Sequence, residues 1–183
     1  MKKHILITML LCLCLLFAAC GNNNAGGSEK ANSYDPEVLT AAYDAVKAAY
    51  GDRYLPAMVE TDPMFATGMM GIDESLFTSF FVDMPMMSAH VDKLVGFLAA
   101  EGKAADLKAA VEEYRDIQAD DMFAYPQNVP KLQNAVVYAN GNYVFYFILG
   151  GYDDSLTDEE AIVKYYQEQG QVGIDALDAF FAE

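Results

Sequence analysis

Ala135-Val136-Val137-Tyr138-Ala139-Asn140-Gly141-Asn142-Tyr143-Val144-Phe145-Tyr146-Phe147-Ile148-Leu149 decides the fold of this chain. Two runs rich in β-branched and aromatic residues flank Asn140-Gly141. Asn-Gly between such runs is the strongest short-range cue for a β-hairpin. The second run, Tyr143 to Leu149, has no polar alternation, so the strand is expected to be covered on both faces rather than to turn one face to water. Gly150-Gly151 then ends it.

Working outward, a second hairpin is expected from Ser79–Met87 and Lys93–Ala99. In the first of these, Phe80, Val82, Met84 and Met86 share a face, and Pro85 suggests an edge strand or a bulge because it has no amide donor. Between the hairpins, 104 to about 122 reads as an amphipathic helix with Leu107, Val111, Tyr114 and Ile117 inward. Asp35-Pro36-Glu37 is a helix start, with Asp as cap and Pro at the first helical position. The apolar residues Val38, Leu39, Ala42, Tyr43, Val46, Ala49 and Tyr50 then recur at helical spacing up to Gly51. Tyr54 to Val59 suits a short strand, and Asp73 to Phe77 a short helix capped by Asp73. Thr157-Asp158-Glu159-Glu160 fits a capping box opening another helix, and Val172 to Phe181 reads as a separate last one. The expectation is an α+β fold: a mainly antiparallel sheet of two hairpins (a ββαββ core) packed by amphipathic helices.

The first 20 residues are of another kind. Lys2 and Lys3 precede an apolar stretch from Ile5 to Ala19, and Phe17-Ala18-Ala19 places small residues just before Cys20. A stretch of this length falls short of the roughly 20 residues that span a bilayer as a helix. It reads instead as a lipoprotein signal peptide over 1–19, with Cys20 as the lipidated residue. Residues 20–33, from the lipidated Cys through a Gly/Asn/Ser-rich run, are expected to form a flexible linker, and 34–183 a single α+β domain. The localisation expected is the extracytoplasmic face of the cell membrane, with the lipid on Cys20 as the anchor.

Composition narrows the function classes. The cysteines number 3, all within 1–20, so the processed chain has no thiol for a disulfide, a metal or a nucleophile. Of 11 basic residues, Lys2 and Lys3 leave with the leader; the remaining 9 face 27 acidic ones, a net charge of −18. That balance excludes a nucleic-acid partner, which needs basic residues to replace counterions. It also disfavours lying flat on an anionic lipid surface.

Phe81-Val82-Asp83-Met84-Pro85-Met86-Met87-Ser88, Val111-Glu112-Glu113-Tyr114-Arg115 with Gln118, Tyr125-Pro126, and Gly141-Asn142-Tyr143-Val144-Phe145 occur in this order and spacing. Together they resemble the domain of unknown function family 4358, typical of Gram-positive bacterial lipoproteins, over about 64–150. The resemblance implies extracytoplasmic lipoprotein status and brings no catalytic or binding residues with it.

Catalytic chemistry lacks parts. His90 is the lone histidine after processing, no G-x-S-x-G motif is present, and His90 between two strands reads as a turn residue. Met84, Met86, Met87 and His90, with Met69 and Met70 nearby, are the soft donors that select Cu(I). Strand alternation would send Met86 and Met87 to opposite faces, so core packing is the better reading. Asp153-Asp154-Ser155 with Asp158-Glu159-Glu160 lacks the ligand alternation and central glycine of a calcium loop. No cofactor and no metal are therefore expected. The candidate binding residues are Arg115, set on an otherwise acidic helix, and Tyr125 and Tyr143, in the tyrosine-rich region around the second hairpin. The function expected is a non-enzymatic binding or protein-interaction module that meets an envelope protein or a small ligand. The alternatives are a carboxylate-dependent enzyme acting on cell-envelope material and an accessory subunit that works only with a partner.

Overall fold

The computed structural model describes residues 28–87, 89–121 and 124–183. The leader expected over 1–19, Cys20 and the linker up to residue 27 lie outside the described residues.

Five antiparallel strands form one sheet in the order β1-β2-β3-β5-β4: β1 Met58–Glu60, β2 Phe77–Met84, β3 Lys93–Ala99, β4 Val136–Asn140 and β5 Tyr143–Ile148. Strands β2 and β3 form the first hairpin, in register from Phe80 opposite Phe97 to Asp83 opposite Leu94. Strands β4 and β5 form the second, and β3 joins the two through its pairing with β5. The α+β reading and the ββαββ core hold. The short strand expected at 54–59 forms later, as β1 at Met58–Glu60, and pairs with the free side of β2, so β2 is an inner strand. It ends at Met84, directly before Pro85, because proline supplies no ladder donor. Met86 and Met87 thus lie beyond the strand, which corrects their expected place in its alternation.

Helices cover both faces of the sheet, which is why β5 has no polar side. On one face lie α1 (Pro36–Tyr50) and α4 (Glu159–Ala182). There Leu39, Val46, Leu177 and Phe181 pack on Phe81, Leu94, Leu98, Tyr143, Phe145 and Phe147. On the other lie α2 (Ala104–Ala119), the short α3 (Val129–Gln133) and a single π-turn at Phe65–Met69. There Ala66, Leu107, Val111 and Leu132 pack on Phe80, Val82, Val95, Phe97, Val144, Tyr146 and Ile148. Alternate residues of β3 and β5 thus feed two cores, and each large apolar side chain so buried stabilises by about 1.5–3 kcal/mol.

Local signals set the element ends. Asp35 caps α1 by accepting from Glu37 N at 2.8 Å, and Asp73 caps a 3-10 turn at Glu74–Leu76 by accepting from Ser75 N at 2.8 Å. The β4–β5 turn is one residue tighter than the three-residue Asn140-Gly141-Asn142 loop. Asn140 pairs with Tyr143, which leaves Gly141-Asn142 as the two turn residues. Gly141 has φ +57°, and no residue other than glycine has positive φ among the described residues. A single positive φ at the first central position is the geometry of a type II′ turn.

Three expectations are corrected. Residues 159–182 form one helix rather than two. Gly170 and Gly173 sit mid-helix, where a Cβ on Gly173 would meet the Phe147 ring at 2.5 Å. The glycines are there for close packing and do not break the helix. Its cap is Asp158, which accepts from Ala161 N at 3.0 Å, and not Thr157. Ile117 is 61% exposed, since α2 turns only Leu107, Val111 and Tyr114 inward.

The last part of the expected linker, 28–33, is docked rather than free. Ala31 is fully buried and accepts from Asn142 N at 2.9 Å, Asn142 Nδ2 donates to the carbonyls of Asn32 and Ser33, and Lys30 Nζ donates to Phe180 O. A segment with no branched apolar residue is held here by hydrogen bonds and one small methyl group.

Candidate binding cleft

Residues 126–130 and the loop that carries the chain from β5 into α4 face each other across a cleft of about 250 Å³. Tyr152, Tyr165 and Tyr166 supply its aromatic wall; Pro126, Pro130, Leu156 and Ile162 supply its apolar surface; Gln127, Asp153 and Asp154 supply the polar groups. No basic side chain lines it. Its charge is that of two aspartates, both exposed.

Local chemistry builds each wall. Pro126 and Pro130 fix the backbone of a short 3-10 turn (Pro126–Asn128) that runs into α3, where the missing amide of a proline costs nothing. Asp153 closes the opposite loop by accepting from both the amide and the hydroxyl of Ser155. Those two hydrogen bonds also lower the Asp153 pKa, which keeps the carboxylate ionised. The Tyr165 hydroxyl donates to Gly150 O at 3.0 Å and ties α4 back to the end of β5.

Beneath the cleft lies the polar centre of the molecule. Lys131 and Asp92 are both fully buried, and Lys131 Nζ is 2.7 Å from each oxygen of Asp92. The ammonium also lies 4.2 Å from the centre of the Tyr152 ring and 5.6 Å from that of Tyr166. Burial pushes the Lys131 pKa down, and the charge and hydrogen bonds of Asp92 oppose that shift. Tyr152 donates to Asn128 Oδ1 at 2.5 Å, Asn128 Nδ2 donates to Ala89 O at 3.0 Å, and the His90 ring lies 5.5 Å from that of Tyr152. Burial first, and then Coulombic repulsion, led by Asp92 for Tyr152 and by Tyr165 and then the aspartates for Tyr166, pushes both tyrosine pKa values up to about 12. Both phenols therefore stay neutral over the physiological range. Tyr152 is thus tied to the turn before α3 and Tyr165 to the end of β5, with the Lys131 ammonium against the Tyr152 and Tyr166 rings, so a ligand would meet a surface already in place.

A second buried acid lies elsewhere. Asp83 Oδ2 accepts from the hydroxyls of Tyr43 and Tyr54, at 2.9 and 2.8 Å, and Lys47 Nζ donates to Tyr43 at 3.2 Å. This cluster ties α1 and the 54–57 segment to the sheet. Among the described residues, no group of three or more His, Cys, Asp or Glu side chains is placed to hold a metal ion.

The residues expected from sequence are not brought together. Arg115 donates through Nε and Nη2 to Asp116 Oδ1, at 2.9 and 2.7 Å, in a surface pair worth at most about 1 kcal/mol. Tyr143 is fully buried, and its hydroxyl is taken up by Ser33 and Asp35. It pins the start of α1 and presents no surface to a ligand. Tyr125 is 58% exposed and precedes Pro126 at the rim of the cleft. Sequence reasoning missed Tyr165, Tyr166, Asp92 and Lys131. The one available signal was a lysine set between apolar neighbours, Pro130-Lys131-Leu132, in a stretch otherwise destined for the core; Asp92, followed by Lys93, gave none.

A family model described as Domain of unknown function (DUF4358) matches residues 34–149. Neither a curated protein nor a solved structure matches the chain. The match covers the α1-to-β5 core and stops before the loop and helix that supply Tyr152, Tyr165 and Tyr166. No helix among the described residues is long and apolar enough to cross a membrane.

Proposed function

This chain belongs to the DUF4358 family, and from that premise we propose that it is a lipid-anchored, extracytoplasmic binding module whose ligand is an organic cation. The observation that carries the reading is the cleft: three tyrosine rings and two exposed aspartates around about 250 Å³, with no basic residue lining it. Aromatic faces attract ammonium and guanidinium groups, and carboxylates complete the charge match. Two of the same rings already accommodate one ammonium, that of Lys131. The net charge of −16 for the whole chain draws cations toward the surface from a distance.

Anchoring rests on the sequence pattern at Cys20. Intact mass of the native chain extracted from membranes is expected to begin at Cys20 and to include acyl chains; a retained leader or a free thiol contradicts the anchor. The binding claim is tested by calorimetric titration with spermidine and with tetramethylammonium, using acetate as the anionic control. The cations bind and acetate does not, and Asp153→Asn/Asp154→Asn weakens the cations by about tenfold, the equivalent of 1.4 kcal/mol. Equal affinity in the double variant would remove the cleft from the account.

A carboxylate-dependent enzyme is the weaker reading. Acid catalysis calls for a carboxyl with a raised pKa facing a second one. Asp153 and Asp154 are neighbours in sequence on one wall, and Asp153 is shifted in the opposite direction.

A further inference from the structure

We propose that Met86, Met87 and His90 form a binding site for Cu(I), with two thioethers and one imidazole as ligands. Alternation along a strand would have separated the two methionines, but β2 ends at Met84 and frees them from it. Both are surface residues, 80% and 60% exposed, so neither packs a core. Both, with His90, line a single groove of about 260 Å³ whose remaining walls are Leu55, Ala57 and Pro85. His90 N donates to Met87 O at 3.2 Å, a bond that closes a turn and holds those two residues about 7 Å or less apart at Cα. Met86 adjoins them, and three rotatable bonds let each thioether swing toward the imidazole.

The imidazole itself calls for a partner. His90 Nδ1 is buried and makes no hydrogen bond, a state that costs a polar atom about 1–3 kcal/mol. A metal bound to the ring is one way to recover that cost. The donor set then selects the ion. No carboxylate or carbonyl-bearing side chain lines the groove, so hard cations such as calcium and magnesium lack ligands. Zinc prefers thiolate, imidazole and carboxylate, and only one of the three is present. Two thioethers and an imidazole in apolar surroundings are the soft set that suits Cu(I). With every cysteine at or before residue 20, no thiolate in the folded domain competes for it.

The site adjoins the cation cleft, since the His90 ring packs 5.5 Å from that of Tyr152, but it shares no lining residue with it, and its test separates sulfur chemistry from mere apolar surface. The detergent-solubilised full chain is titrated anaerobically with Cu(I) in competition with bicinchoninate. The chain is expected to withdraw one equivalent of Cu(I), and Met86→Leu, Met87→Leu and His90→Gln each to weaken it by about tenfold or more, as loss of a ligand must do at least as much damage as loss of its support. Leucine keeps the volume and apolar character of methionine, so the Met86→Leu/Met87→Leu chain stays folded, as circular dichroism will report. That double variant carries the proposal even if His90→Gln unfolds. No withdrawal of Cu(I) from the chelator, or withdrawal unchanged in the double variant, overturns the site; in the latter case the methionines serve only as an apolar surface.

Discussion

Replacing Lys131 by Met lowers stability by about 3–5 kcal/mol, the cost of leaving a buried charge without its partner. Lys131 and Asp92 have no exposed side-chain surface, and the ammonium reaches both carboxylate oxygens at 2.7 Å. Without it, Asp92 either stays charged in an apolar setting or takes up a proton. In a domain of this size the loss corresponds to a drop in Tm on the order of 10 °C, read by thermal unfolding. The pair is costly to break and yet adds little net stability, because both charges had to be desolvated. Asp92→Leu/Lys131→Met should therefore recover most of the loss, in a double-mutant cycle with strong coupling. Single variants that unfold no earlier than the parent would show that the pair is not what holds α3 against the segment leading into β3.

Asp92→Asn is distinguished from Lys131→Met by its pH dependence. Burial already pushes the Lys131 pKa below its ordinary 10.5, and losing Asp92 removes the opposing attraction. A lysine whose folded pKa is depressed binds fewer protons folded than unfolded. The unfolded state is the more protonated one, so stability rises with pH through that window. The Asp92→Asn chain should regain stability between neutrality and about pH 10. Above that, tyrosines such as Tyr152 and Tyr166, raised to about 12, reverse the trend because the unfolded chain ionises first. Lys131→Met should show no such recovery.

Gly173→Ala, in the middle of α4, should destabilise by about 1–3 kcal/mol, against the usual sign for glycine in a helix. Alanine gains up to about 1 kcal/mol in helix propensity. Its methyl would, however, lie 2.5 Å from Phe147 Cε2, 2.8 Å from Cζ and 3.0 Å from the Tyr50 hydroxyl. Neither neighbour can give way cheaply. Phe147 is buried in β5, and the Tyr50 hydroxyl is committed to Gln169 O at 2.6 Å. Overpacking of this kind outweighs the propensity gain. An exposed control on the same helix, Gln167→Ala, should change stability by less than about 0.5 kcal/mol. A stabilised Gly173→Ala chain would mean that α4 does not sit this close to the sheet.

What could be read from the sequence follows from where the determining forces act. The hairpin around Gly141, the span of β3 and the caps at Asp35 and Asp73 rest on contacts within a few residues, and these were legible. Two-sided burial of β5 was legible because a strand covered twice loses its alternation. The single helix 159–182 was not. Gly170 and Gly173 look like a break until Val136 and Phe147 are known to press against them. Met86 and Met87 were misplaced because one residue, Pro85, decides where the strand stops. The cleft was hidden for a simpler reason. It joins 126–130 to 152–166 through a hydrogen bond between Tyr152 and Asn128, residues 24 apart, above a salt bridge between residues 39 apart, and no local pattern records such pairings. Tyrosine in a sequence does not say whether it will be buried like Tyr143, at a rim like Tyr125 or in a wall like Tyr165.

The central claim is that the tyrosine and aspartate wall is where this chain meets its ligand. Residue-resolved amide NMR of the full chain in detergent, titrated with spermidine, tests it most directly. The account predicts saturable shifts confined to 126–130 and 150–166 that disappear in Asp153→Asn/Asp154→Asn. Shifts scattered over all acidic helix faces in proportion to charge, or saturable shifts centred elsewhere, would contradict it.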